Sequence, residues 1–135
     1  MTGQRVIAVA AIATVFGAAP MMAQLPPSAD TGQVAVGRKL FEGKGLCFSC
    51  HGKNGEGVLG PTTRLAGRTL VHTKNIAAGI AALIKTGVDS AHSTSGNIMP
   101  PKGGSRLTDS EIDAVAAYVV QLQTVGVSKP DNEQY

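Results

Sequence analysis

The sequence predicts a small all-α domain with about three to five helices. Three segments carry apolar residues at helical spacing, and no segment alternates apolar and polar residues as a half-buried strand does. The chain has 135 residues, of which 43% are hydrophobic and 16% charged, so it can form one small domain and is too apolar to be disordered. It has no Trp, two Tyr and three Phe, which indicates that something other than large side chains helps to fill the core.

Residues 1–23 are expected to be a secretory signal peptide that is cleaved after Ala23. Arg5 precedes an apolar run from Val6 to Ala19, which is too short to span a bilayer and is followed by small residues. An uncleaved anchor is the alternative interpretation. We therefore expect an exported bacterial protein of the periplasm that begins near Gln24 and has no membrane anchor after cleavage.

The domain itself is expected to cover residues 33–125, between a leader at 24–32 and a polar tail at 126–135. The first helix should begin near Asp30, with Gln33 completing a capping pair, and should end at Glu42. Gly43 to Gly67 carries seven Gly and one Pro without sustained periodicity, which predicts a loop with one short helical turn.

Two further helices are predicted in the second half of the chain. The second helix should cover Thr73 to Thr86 and end at Gly87, before a polar loop from Asp89 to Asn97. The last helix begins at a capping box of Thr108 and Glu111. Leu107 and Ile112 occupy the two positions of a hydrophobic staple, and the buried stripe of this helix should be Ile112, Val115, Ala116, Val119 and Leu122.

The pentapeptide Cys47-Phe48-Ser49-Cys50-His51 is the strongest chemical signal in the sequence. It has the C-x-x-C-H pattern of covalent c-type haem attachment, in which two thiols reach the vinyl groups of one haem and the imidazole binds iron. Residues at i, i+3 and i+4 share one face of a helical turn, which explains the spacing. The alternatives are a redox dithiol, a disulfide or half of a zinc site, and the chain has no second Cys pair for zinc.

Met99 is the predicted second axial ligand. The other methionines are Met1, Met21 and Met22, which the predicted cleavage removes, and the two prolines that follow Met99 keep its segment out of a helix. A core position is the ordinary alternative for a methionine. His72 and His92 are the competing ligands, and of these two His92, in the polar loop, is preferred.

From Gly37 to about Leu122 the chain resembles a class I, monohaem cytochrome c. In that family an N-terminal helix with a Gly and an aromatic residue crosses a C-terminal helix with another aromatic residue, and Gly37, Phe41 and Tyr118 match this pattern. The family's Met-Pro pair matches Met99 and Pro100. The resemblance implies a small cytochrome c fold of about three to five helices around one covalently bound haem c.

The resemblance also implies partners for the haem ligands. In the family the carbonyl of a Pro after the haem motif accepts the ring N–H of the iron-binding His, and Pro61 is in that place here. The family usually has Leu two residues after that Pro, whereas here Thr63 occupies that position and Leu65 follows two residues later. Arg64, Arg68 and Lys74 are the candidates for binding the haem propionates.

The resemblance implies an electron carrier that cycles between ferrous and ferric iron rather than an enzyme. A fixed haem subunit of a periplasmic dehydrogenase is an alternative, and a peroxidase or sensor with a displaceable Met99 and His92 as the distal acid or base is another. The expected partners are redox proteins, a dehydrogenase or a terminal oxidase or reductase. The net charge of +3 contains no long run of like charges, which gives nucleic-acid binding no support. A basic rim for partner docking is expected from Lys44, Lys53, Lys102 and Arg106.

Overall fold

A computed structural model of the chain describes residues 31–125. Within this range the all-α fold is confirmed, because the only extended pairing is an isolated antiparallel bridge between Val88 and Met99. No helix in the described range is long and apolar enough to cross a membrane. The elements in chain order are helix α1 (Thr31–Glu42), helix α2 (Phe48–His51), a first 3₁₀ turn (Pro61–Thr63), helix α3 (Ala77–Thr86), a second 3₁₀ turn (Pro101–Gly104) and helix α4 (Asp109–Thr124).

The predicted signal peptide at 1–23 and the tail at 126–135 lie outside the described residues, as does Asp30 of the predicted capping pair. The predicted boundary between leader and domain falls inside α1, which already contains Thr31 and Gly32. The predicted end of this helix at Glu42 is confirmed.

Helices α1 and α4 cross at Gly37, as the family resemblance implies. A Cβ atom on Gly37 would collide with the backbone carbonyl of Ala114, so the absence of a side chain allows the two helices to approach this closely. Next to the crossing the rings of Phe41 and Tyr118 meet edge to face, with centroids 5.3 Å apart. The Tyr118 hydroxyl donates to the carbonyl of Lys53, which connects α4 to the loop that follows α2.

Helix α4 begins at the predicted capping box. The backbone N–H of Glu111 bonds the Thr108 side chain, and the Glu111 carboxylate accepts from the backbone N–H of Thr108. The predicted staple residues, Leu107 and Ile112, are both fully buried in the core. All five residues of the predicted stripe are buried, and the core that they form with α1 and α3 includes Phe41, Ile80, Ile84, Tyr118 and Val119.

Helix α3 begins at Ala77 rather than at the predicted Thr73. Ile76 is extended, with φ −126° and ψ 152°. The side-chain oxygen of Asn75 accepts hydrogen bonds from the backbone N–H of Leu70 and from the side chain of Gln123, each at 2.7 Å. The first bond closes a loop from Leu70 to Asn75, and the second, long-range bond holds that loop against α4. Gly87 ends the helix as expected.

Candidate functional site

The four predicted site residues border one cavity. Cys47, Cys50 and His51 come from α2 and the residue before it, and Met99 comes from the segment between α3 and α4. The walls are largely apolar and are supplied by the core faces of all three long helices, among them Phe41, Ile80, Leu83, Ile84, Val115 and Val119. This chain has few aromatic residues, and the cavity therefore occupies core volume that its side chains do not fill.

The Cys47–His51 segment forms the predicted helical turn. The backbone N–H groups of Cys50 and His51 both donate to the carbonyl of Cys47, at 3.3 and 3.0 Å, and Gly52 N–H donates to Phe48 at 2.8 Å. This geometry brings residues i, i+3 and i+4 to one face, where all three border the cavity. Their spacing thus presents two thiols and one imidazole to the same space.

Cys47 and Cys50 are not joined to each other by a disulfide. Burial raises the pKa of the Cys47 thiol to about 11. No group of three or more His, Cys, Asp or Glu side chains in residues 31–125 could hold a metal ion, which gives the zinc interpretation no support in that range.

His51 is oriented by Thr63, and not by Pro61 as the resemblance implied. The Nδ1 atom of His51 lies 2.6 Å from the carbonyl oxygen of Thr63, which can only accept, so Nδ1 carries the proton and donates. Burial lowers the pKa of His51, and the bond to Thr63 opposes that effect. A neutral imidazole with Nδ1 occupied keeps Nε2 available as a metal ligand.

The carbonyl of Pro61 has other donors. It accepts from the backbone N–H of Arg64 within the first 3₁₀ turn and from the Arg68 guanidinium. The turn therefore projects the carbonyl of its last residue, Thr63, toward His51. In the family pattern the leucine lies two residues after the residue whose carbonyl accepts from the histidine. Here Leu65 lies two residues after Thr63, so that interval is retained, and both residues lie two positions later than a pattern that starts at Pro61.

Two backbone hydrogen bonds hold Met99 in position. Its N–H donates to the carbonyl of Val88 and its carbonyl accepts from the N–H of Val88, both at 2.8 Å. Pro100 continues the chain in an extended conformation, with φ −65° and ψ 154°. The thioether side chain is partly buried and packs against the core cluster beside the cavity.

The structure reverses the expected order of the competing histidines. His72 borders the cavity. His92 is outside the lining, and its Nδ1 lies 2.7 Å from the Asp89 carboxylate in an exposed turn. The polar loop did not bring His92 to the site because the short-range pairing with Asp89 turns its ring toward that carboxylate.

Arg64 and Arg68 border the cavity, but Lys74 does not. The Nε of Arg64 donates to the carbonyl of Ala66 at 3.0 Å, and both guanidiniums retain further donors for a carboxylate. None of the four residues of the predicted basic rim borders the cavity. Among them, Lys44 pairs with Glu111 at 2.7 Å and Lys102 donates to the carbonyl of Leu107 at 3.0 Å.

Thr63 and Val88 hydrogen-bond the predicted ligands His51 and Met99, and these roles were not identified from the sequence. The position of Leu65 two residues after Thr63 was the feature of the sequence that could have indicated Thr63 as the acceptor for His51. Nothing local in the sequence pairs Val88 with Met99, because that contact spans the whole intervening loop.

A flat macrocycle attached by two thioethers fits this donor set. The thiols and the imidazole share one face of the Cys47–His51 turn, the Nδ1 atom of the imidazole bonds Thr63 while Nε2 is available, and the surrounding walls are largely apolar. Such an arrangement defines a c-type haem protein. The cytochrome c family model matches residues 34–123, and the chain belongs to that family, which binds covalent haem c and transfers electrons through it. Comparisons with curated proteins and with solved structures gave no significant match.

Proposed function

We propose that the protein is a periplasmic electron carrier whose single haem iron is held by His51 and Met99. The observation that carries this proposal is that the Cys47–His51 turn and Met99, which are distant in sequence, border the same apolar cavity. When bound, the haem would supply an iron that changes between ferrous and ferric states. Cys47 and Cys50 would hold the ring, and His51 and Met99 would ligate its iron.

The chain's own groups favour a carrier over an enzyme. If His51 and Met99 both ligate the iron, no position would be left for a substrate, and neither residue would have to leave when the iron changes oxidation state. The Thr63 carbonyl increases the basicity of His51 by accepting its N–H. The Met99 thioether favours ferrous iron, and the apolar walls disfavour the additional charge of the ferric state. His92, the distal group required by the peroxidase alternative, is paired with Asp89 outside the cavity.

Absorption spectroscopy of the purified protein and its variants tests the ligation. Wild type should be six-coordinate and low-spin, with two thioether bonds to haem and the thioether-to-ferric-iron charge-transfer band. Met99→Ala should lose that band and bind cyanide faster. His72→Ala and His92→Ala are the matched controls and should retain it. A Met99→Ala protein that keeps the band would exclude Met99 as the ligand.

The cellular location is tested by the mass of the periplasmic protein. The mass should correspond to a chain that begins near Gln24 and carries one haem. A protein recovered with Met1 intact would contradict export and cleavage.

We propose redox proteins with acidic surfaces as partners, either a dehydrogenase that donates electrons or a terminal oxidase or reductase that accepts them. Lys53 and Arg106 are the residues of the predicted rim whose side chains have no described partner in residues 31–125. Charge reversal at Lys53 should slow reduction by the native partner and weaken its salt dependence. Lys39→Glu makes the same change in net charge on α1 and should have less effect. Rates that are independent of salt and of both variants would contradict electrostatic docking.

A further inference from the structure

Gly87 lies where α3 ends and the segment paired with Met99 begins. Its backbone has φ 72° and ψ −169°. A glycine that only terminates a helix adopts the left-handed helical conformation, with ψ near +47°, which Asn can also adopt. The conformation of Gly87 is instead in a region that is essentially restricted to glycine. It turns the chain directly from the helix into extended pairing.

The space beside Gly87 is filled by the backbone that carries Met99. A Cβ atom at this position would collide with the Met99 carbonyl oxygen and would lie 2.8 Å from both the Pro100 carbonyl carbon and the Pro101 nitrogen. These are backbone atoms of a segment stiffened by two prolines, so they cannot move aside as a flexible side chain could. An ordinary contact of 3.4 Å with Pro100 would require a displacement of ~0.6 Å.

We propose that Gly87 is a positioning residue for the Met99 thioether. By lacking a side chain it lets the Met99 carbonyl approach the end of α3, and its backbone conformation directs the N–H and C=O of Val88 into their two hydrogen bonds with Met99. The end of α3 thereby fixes the distance of Met99 from the cavity walls that α3 supplies. The inference rests on the proposed function, in which Met99 is the axial ligand.

The test compares Gly87→Ala with Gly96→Ala. Gly96 lies in the loop between Val88 and Met99, also has a positive φ of 77°, and has nothing within 4 Å of an added Cβ. It therefore reproduces the unfavourable φ without the collision. Gly87→Ala should lose most of the charge-transfer band, while its apparent cyanide affinity should rise about tenfold as the open state becomes more populated. Gly96→Ala should keep both properties at the wild-type level.

The outcomes separate this inference from the proposed function. If Gly87→Ala keeps the band and the cyanide affinity of wild type, or if Gly96→Ala loses them equally, Gly87 does not position Met99. If Met99→Ala itself keeps the band, the ligation proposal fails instead.

If Gly87→Ala does not fold, hydrogen exchange of the wild-type protein tests the inference instead. The amides of Val88 and Met99 should be protected from hydrogen exchange in the haem-bound protein, whereas the Gly96 amide should exchange freely. Equal, fast exchange at all three positions would overturn the inference.

Discussion

Replacing Gly37 with Ala should destabilise the protein, although Ala is the better helix former. In an exposed helix this change gains about 1 kcal/mol because Gly loses more conformational entropy on folding. At the α1–α4 crossing, however, the new Cβ would overlap the Ala114 carbonyl oxygen and would lie 2.6 Å from its carbon and 3.0 Å from the Tyr118 Cβ. The collision is with helix backbone and must be relieved by separating the helices.

The size of the effect follows from that separation. Restoring a 3.4 Å contact with the Ala114 carbonyl carbon requires ~0.8 Å of movement. Overpacking of this kind costs about 1–3 kcal/mol, and the edge-to-face pair of Phe41 and Tyr118 is worth about 0.5–1.5 kcal/mol where it is disturbed. After the gain in helix propensity, we expect a net loss of about 2 kcal/mol in the free energy of unfolding. In a domain of this size that lowers Tm by roughly 10 °C.

Equilibrium denaturation of the ferric protein, followed by circular dichroism, measures this loss. Ala35→Gly is the control, because Ala35 is exposed on α1 and reports helix propensity without the crossing. It should cost about 1 kcal/mol. A Gly37→Ala protein with a Tm equal to or above that of wild type would refute the close-approach reasoning.

Three further predictions concern the Thr108 cap, the polar loop from Asp89 to Asn97 and the proposed ligand Met99. Thr108→Ala should lower the free energy of unfolding by about 1 kcal/mol and Thr108→Ser should largely preserve it, as urea denaturation would measure. Hydrogen bonds from His92 lower the pKa of Asp89. Any stability that the ionised carboxylate contributes is therefore fully present above the usual pKa of 3.8 and is lost as the pH falls through the lowered pKa. Titration by nuclear magnetic resonance should find the Asp89 pKa below 3.8 in wild type and higher in His92→Ala. Met99→His should remain low-spin and six-coordinate with a lower potential in voltammetry, because imidazole stabilises ferric iron better than a thioether does, and an unchanged potential would contradict Met99 ligation.

Features specified by neighbouring residues were predictable from the sequence. The Thr108 capping box, the buried stripe of α4 and the turn that carries both cysteines each depend on spacings of three or four residues. Gly37, Phe41 and Tyr118 could be placed at one crossing because the family resemblance supplied the long-range contact.

Features set by distant hydrogen bonds were not predictable in the same way. The start of α3 depends on Asn75 bonding Gln123, and the acceptor for His51 depends on how the first 3₁₀ turn directs the Thr63 carbonyl. Helical periodicity carries no information about either contact. The preference for His92 over His72 failed because a place in the polar loop does not direct a side chain to the cavity, and His92 pairs with Asp89 instead.

The pairing of Val88 with Met99 also has a consequence for how this chain tolerates changes in length. Val88 and Met99 flank the loop from Asp89 to Ile98. The two hydrogen bonds between them hold Met99 in position at the base of the loop, independently of the outer loop residues. Gly96 has open space around it, and lengthening a flexible loop is inexpensive, at about 0.6 kcal/mol for each doubling. Extra residues inserted at Gly96, such as an affinity tag or a surface-immobilisation peptide, would therefore retain the register of the methionine, and any effect on the cavity would come through Ser95 and Asn97, which border it.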